Sequence, residues 1–176
     1  MNMSYAAALA IVSMVSIGCA HIESEQSAIS ADTTDKVASY RQRLDQDPYD
    51  IRARLEYAAM LSWKGQYRAA EQQYSTLLEQ QPNNLEAMTG LAYNYVWSHQ
   101  FGLAEQQFKT ALDNAPGDFG IQKGLAMTYL QSGRCSQALE TLEPLNRKHP
   151  EDLEILAALE SARMVVIENG FVGKHD

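Results

Sequence analysis

Residues 82–118 read PNNLEAMTGLAYNYVWSHQFGLAEQQFKTALDNAPGD. Two apolar-periodic runs, 85–98 and 101–114, lie between two proline-plus-Asx punctuation marks, Pro82 with Asn84 and Pro116 with Asp118. The marks recur outward: Pro48, Pro82, Pro116 and Pro150 stand 34 residues apart, and Asp50, Asn84, Asp118 and Asp152 follow each by two. Proline stops a preceding helix. The Asx side chain then accepts from the free N–H groups of the next one. A fixed period of this length, kept by two residue classes in phase, points to stacked copies of one supersecondary unit.

With repeats numbered 51–84, 85–118 and 119–152, position 8 holds Ala58, Ala92 and Ala126, and position 20 holds Ala70, Ala104 and Ala138. Position 7 is Tyr57, Leu91 and Leu125; position 11 is Leu61, Tyr95 and Tyr129. Position 24 is Tyr74, Phe108 and Leu142, and position 27 is Leu77, Ala111 and Leu145. Small residues where two helices cross, with large apolar ones around them, are the packing requirement of an antiparallel helix pair. The expected helices A span 51–63, 85–98 and 119–131, and the helices B 67–80, 101–114 and 135–148. Gly65 and Gly133 mark A-to-B turns, with His99 in the same place in the middle repeat. Pro144 is expected to kink or shorten the last helix B.

These residues resemble the tetratricopeptide-repeat (TPR) signature over about 50–152, although position 4 carries Arg54, Met88 and Gln122 where the family often has tryptophan. The resemblance implies an all-α, right-handed α-solenoid of three helix-turn-helix repeats forming one domain, 33–168, with a continuous core. A half repeat at 33–46 (Tyr40 in the position-24 slot) precedes them, a capping helix at 153–168 follows, and 169–176 is a tail. At the cap, Glu160 and Arg163 replace the small and aromatic residues, as a soluble solenoid end requires.

The first residues differ in composition. Residues 5–17 are apolar, too short to span a membrane and of the length of a signal-peptide core. They end in Ser16-Ile17-Gly18-Cys19, which resembles a bacterial lipobox. That resemblance implies removal of 1–18 and lipidation of Cys19, with Ala20 after it resembling an outer-membrane lipoprotein facing the periplasm. Ordinary secretion and a cytosolic amphipathic or misannotated start are the alternatives. Residues 20–32 carry Ser, Glu, Gln and Ala without aromatics, completing with Cys19 a flexible tether over 19–32 with a reach on the order of 20 Å.

The net charge of −8 and the absence of any Lys/Arg run longer than two exclude a basic nucleic-acid stripe. His21, His99, His149 and His175 are scattered without metal-ligand spacing, and neither a phosphate loop nor a nucleophile elbow is present. Cys135, at position 17, reads as a small buried apolar residue. No enzyme activity, cofactor, metal or small-molecule substrate is expected.

What remains is the face that helices A line in such arrays, through positions 2, 5, 9, 12 and 13. The candidate partner-binding groove is Leu55, Ala59, Trp63, Glu86, Thr89, Tyr93, Trp97, Met127 and Gln131. Trp63 and Trp97 both hold position 13, where they either pack between repeats or serve as aromatic anchors. Chaperone-binding TPRs carry a Lys/Asn/Arg clamp for a C-terminal carboxylate; here Lys123 lacks its Asn partners, which favours an apolar or aromatic partner segment. Lipobox, tether and a few repeats together resemble lipoproteins of type IV and Flp pilus assembly. The alternative is an exopolysaccharide-export scaffold, which the segments 61–65 and 96–98 resemble.

Overall fold

The computed structural model describes residues 36–172, with side chains placed for 36–167. The expectations for the leader, Cys19 and the tether lie outside the described residues. Two units are distinguished, one ending at Pro48 and one beginning at Tyr49. In the first, helix α1 occupies 36–46, where the half repeat was expected, with the Arg43 guanidinium 6.0 Å from the Tyr40 ring centroid.

The second unit is a run of seven helices: α2 (Ile51–Trp63), α3 (Tyr67–Gln80), α4 (Leu85–Trp97), α5 (Phe101–Asn114), α6 (Phe119–Gln131), α7 (Cys135–Lys148) and α8 (Leu153–Val172). The 34-residue period is visible in the hydrogen bonds. Asp50, Asn84 and Asp118 each accept from the backbone N–H three residues on, that of Ala53, Ala87 or Ile121, at 2.9 Å. Asp152 does the same for Ile155 at 3.1 Å. Gly65 (φ 72), His99 (φ 59) and Gly133 (φ 76) end α2, α4 and α6 in the left-handed conformation that lets the chain reverse.

Each helix packs on the next, and the A helices α2, α4, α6 and α8 also touch one another in sequence. Among the described residues the B helices α3, α5 and α7 make no such mutual contact. A row of touching helices backed by a row of separated ones must curve toward the touching row, so α2, α4 and α6 line the inner, concave surface. Close approach of each pair depends on the six alanines at positions 8 and 20, all fully buried. Position 3 is buried as well, through Ala53, Ala87, Ile121 and Ile155.

Four expectations are corrected. The core is not one cluster: repeat one and the start of repeat two form one, and the rest of repeats two and three with α8 form another, Leu78 and Tyr95 packing against both. Between repeats one and two lies a buried polar pair, the Ser62 hydroxyl donating to Asn94 Oδ1 at 2.8 Å while Asn94 Nδ2 donates to the Tyr67 carbonyl at 3.0 Å. Of the two effects expected of Pro144, shortening does not occur: it sits inside α7, which runs the full Cys135–Lys148. It is exposed, as is Glu140, whose carbonyl loses its helical donor to the ring and can be satisfied by water. α8 runs to Val172 rather than 168. Its end is less polar than a cap was expected to be: Glu160 and Arg163 are exposed, but so are Met164 and Ile167.

Candidate functional site

Two adjoining hollows lie on the inner face. The larger, about 470 Å³, is lined by Leu85, Glu86, Thr89, Gly90 and Tyr93 of α4, by Gly120 and Ile121 of α6, and by Asp118. The smaller, about 220 Å³, is lined by Arg52, Leu55, Glu56 and Ala59 of α2, by Tyr74 of α3, and by Glu86 and Gly90. Glu86 and Gly90 belong to both and form the hub.

The floor owes its shape to a missing side chain. A Cβ on Gly90 would come 2.6 Å from Cε1 of the Tyr74 ring. Tyr74, a position-24 residue on a B helix, therefore reaches through the layer of A helices to the inner surface. The same relation recurs one repeat later, where a Cβ on Gly124 would come 2.7 Å from the Phe108 ring and 2.9 Å from the Tyr93 hydroxyl. Burial pushes the Tyr74 phenol up to about 12, against the lowering effect of its hydrogen bond with Ser62.

An aromatic rise stands at one end of the larger hollow. Tyr93 sets its edge on Phe108, centroids 5.1 Å apart at 86°, and stacks with Trp97 at 6.1 Å and 28°. Trp97 is 43% exposed and Trp63 78% exposed, so neither tryptophan is sequestered between repeats. Burial raises the Tyr93 phenol above its ordinary range.

Of the nine candidate residues, Glu86, Thr89 and Tyr93 come together in the larger hollow and Leu55 and Ala59 join Glu86 in the smaller. Trp97 adjoins through Tyr93. Trp63, Met127 and Gln131 line neither hollow; Trp63 and Gln131 are exposed and Met127 is half-buried against the core. Position 12 is corrected: Ser62 and Val96 are buried and do not face the groove. Gly90 and Tyr74 were missed, and a mid-helix glycine at position 6 one repeat after an aromatic at position 24 was the available signal.

The flanking charges are mostly paired. Arg52 meets Glu56 at 3.2 Å, and Lys123 meets Asp152 at 3.2 Å and Glu154 at 2.8 Å. The hydrogen bond to Glu154 raises the Lys123 ammonium pKa, so this lysine is a committed cation and not an open receptor for a carboxylate. On the other side of the repeats, the Tyr95 hydroxyl donates to Glu71 at 2.7 Å and the Tyr129 hydroxyl to Glu105 at 3.1 Å, two equivalent ties between neighbouring repeats. Among the described residues no group of three or more His, Cys, Asp or Glu is placed to hold a metal ion.

A family model described as tetratricopeptide repeat matches residues 98–162. The helix pairs, their period and their stacking extend the same unit to the rest of 51–152. The fold is a TPR solenoid. A TPR protein from Parabacteroides merdae superposes with a TM-score of 0.71 at 19% identity, over 80% of this chain and 55% of that one. MamA from Desulfovibrio magneticus gives 0.62 at 18% identity, over 71% of each chain. YrrB, described as a TPR protein with an unusual peptide-binding site, gives 0.60 at 18% identity, over 77% of this chain and 68% of that one. The chain thus spans about half the length of the Parabacteroides protein. At these identities the likeness is one of fold. No curated protein matches the sequence.

Proposed function

We propose that this TPR solenoid is a protein-binding scaffold that receives a partner segment on its concave face. The observation that carries the reading is the pair of joined hollows across α2, α4 and α6, bordered by the exposed ring of Trp97. Aromatic side chains beside a shaped apolar depression are the usual anchors of protein recognition. TPR proteins are in general interaction scaffolds without catalytic chemistry, and the YrrB description supports peptide binding as a use of this fold.

The finer reading places the scaffold in a bacterial envelope, held to the outer membrane through a lipid on Cys19 and serving assembly of a pilus or secretion machine of the type IV or Flp kind. It rests on the resemblance of residues 16–19 to a lipobox and on the combination of leader, tether and repeats. Two measurements test the two levels. A photo-crosslinker placed at Ala59 of the hollow should capture a specific envelope protein in living cells, and one at Thr110 on the outer face of α5 should not. Equal capture from both positions would remove the concave face as the binding surface. Metabolic palmitate labelling should mark the wild type and not Cys19→Ser; a mature protein that keeps Met1 would overturn the anchor.

A further inference from the structure

The hub of the groove holds a carboxylate, Glu86, that no described residue pairs with. Among the described residues the other charges of the inner face are engaged: Arg52 with Glu56, Lys123 with Asp152 and Glu154, and Asp118 with the Ile121 N–H it caps. Glu86 is exposed and makes neither an ion pair nor a hydrogen bond among the described residues. It lies in the first turn of α4. Around it stand four more carboxylates, Glu56, Asp118, Asp152 and Glu154, against two cations, Arg52 and Lys123, on a chain of net charge −8. Such a groove repels an acidic tail and attracts a cation.

Glu86, Gly90, Tyr93 and Trp97 fall at i, i+4, i+7 and i+11, on one stripe of α4. At 1.5 Å of rise per residue, Glu86 and Tyr93 stand about 10 Å apart along the helix. An extended chain covers that distance in about three residues. Resting on the concave-face reading, we infer that the occupant is an extended segment carrying a lysine or arginine three residues from an aromatic side chain. The cation meets Glu86 over the glycine hub, and the aromatic ring stacks on the Tyr93–Trp97 rise. The geometry admits either chain direction.

Titration of the nitrogen-15-labelled full chain with capped octapeptides containing Lys-Ser-Ser-Phe, or the reverse Phe-Ser-Ser-Lys, tests this. The controls carry norleucine or glutamate in place of lysine. The lysine peptides should shift the Gly90 and Gly120 amides and bind about fivefold more tightly than the norleucine ones at low salt, the scale of an exposed ion pair. The glutamate peptides should bind more weakly still, and the lysine advantage should vanish in Glu86→Gln. Lysine and norleucine peptides that bind alike, both shifting Gly90 and Gly120, would overturn the basic partner and leave the groove standing. A lysine advantage that survives Glu86→Gln would overturn the assignment to that carboxylate. If no peptide moves those amides, the inference and the concave-face reading both fail.

Discussion

The Tyr74 ring occupies the space that a side chain at Gly90 would need, its Cε1 atom lying 2.6 Å from the point where a Cβ would stand. This contact joins repeat one to repeat two and makes the floor of the binding surface. It explains a glycine in the middle of α4, where helix propensity alone would choose alanine. Stability and the shape of the groove are thus set by the same pair.

Gly90→Ala and Gly124→Ala should each destabilise by about 1–3 kcal/mol, since the added methyl must displace a packed ring. Gly102→Ala, where no atom lies within 4 Å of the added Cβ, should be neutral or stabilising by up to ~1 kcal/mol. Urea melts of the three variants compare them directly. Equal effects at Gly90 and Gly102 would contradict the close approach.

Asn94→Ala should cost about 1–3 kcal/mol, because it removes two buried hydrogen bonds, one from the Ser62 hydroxyl and one to the Tyr67 carbonyl, at the junction of repeats one and two. Ser62→Ala should cost less, since Asn94 keeps its bond to Tyr67. Hydrogen exchange should show the loss concentrated between repeats one and two, where the two apolar clusters meet.

Much of this architecture was legible in the sequence, and the reasons are local. Prolines and Asx caps act within a turn or two, so the ends of α2, α3, α5, α6 and α7 follow from single residues, and α4 differs by one. The features that escaped depend on partners one repeat away. The acceptance of Tyr74 by Gly90 and the burial of Ser62 against Asn94 bring together residues 16 and 32 apart, which the 34-residue alignment of like positions does not compare. Pro144 escaped for a different reason: the cost of a proline depends on whether the freed carbonyl meets water, and that is set by which side of α7 faces out. The position rule named Leu55, Ala59, Glu86, Thr89 and Tyr93, which line the two hollows. It failed at position 12, where Ser62 is buried against Asn94 of the next A helix and Val96 is buried in the core.

Acid should weaken the junction between repeats two and three. Hydrogen bonds from Lys109, Arg134 and the Tyr129 hydroxyl hold the Glu105 carboxyl at about 2, against an ordinary 4.5. A carboxyl that binds its proton more weakly when folded contributes fully above its unfolded pKa and loses that contribution as pH falls through 4.5 toward 2. With solvent screening the contribution is about 1 kcal/mol. Glu105→Gln should lower the melting temperature at pH 7 and flatten its decline between pH 5 and 3. An acid limb unchanged by the substitution would refute the assignment.

His99 adopts φ 59 where the other two repeats use glycine, a conformation that costs a side-chain-bearing residue about 1 kcal/mol or more. His99→Gly gives up the edge contact with Phe101, 5.7 Å between centroids, and relieves that cost. The expected balance is a gain of a few tenths to ~1 kcal/mol, read as a small rise in melting temperature.

In the proposed function, the concave face binds a partner and its exposed aromatics carry the binding. Trp97, which stacks on Tyr93 beside the larger hollow, is 43% exposed, so Trp97→Ala should melt within about 3 °C of the wild type. With folding preserved, crosslinking of the partner from Ala59 should fall tenfold or more, as it does when interface anchors are truncated. Unchanged melting together with unchanged crosslinking would contradict the claim.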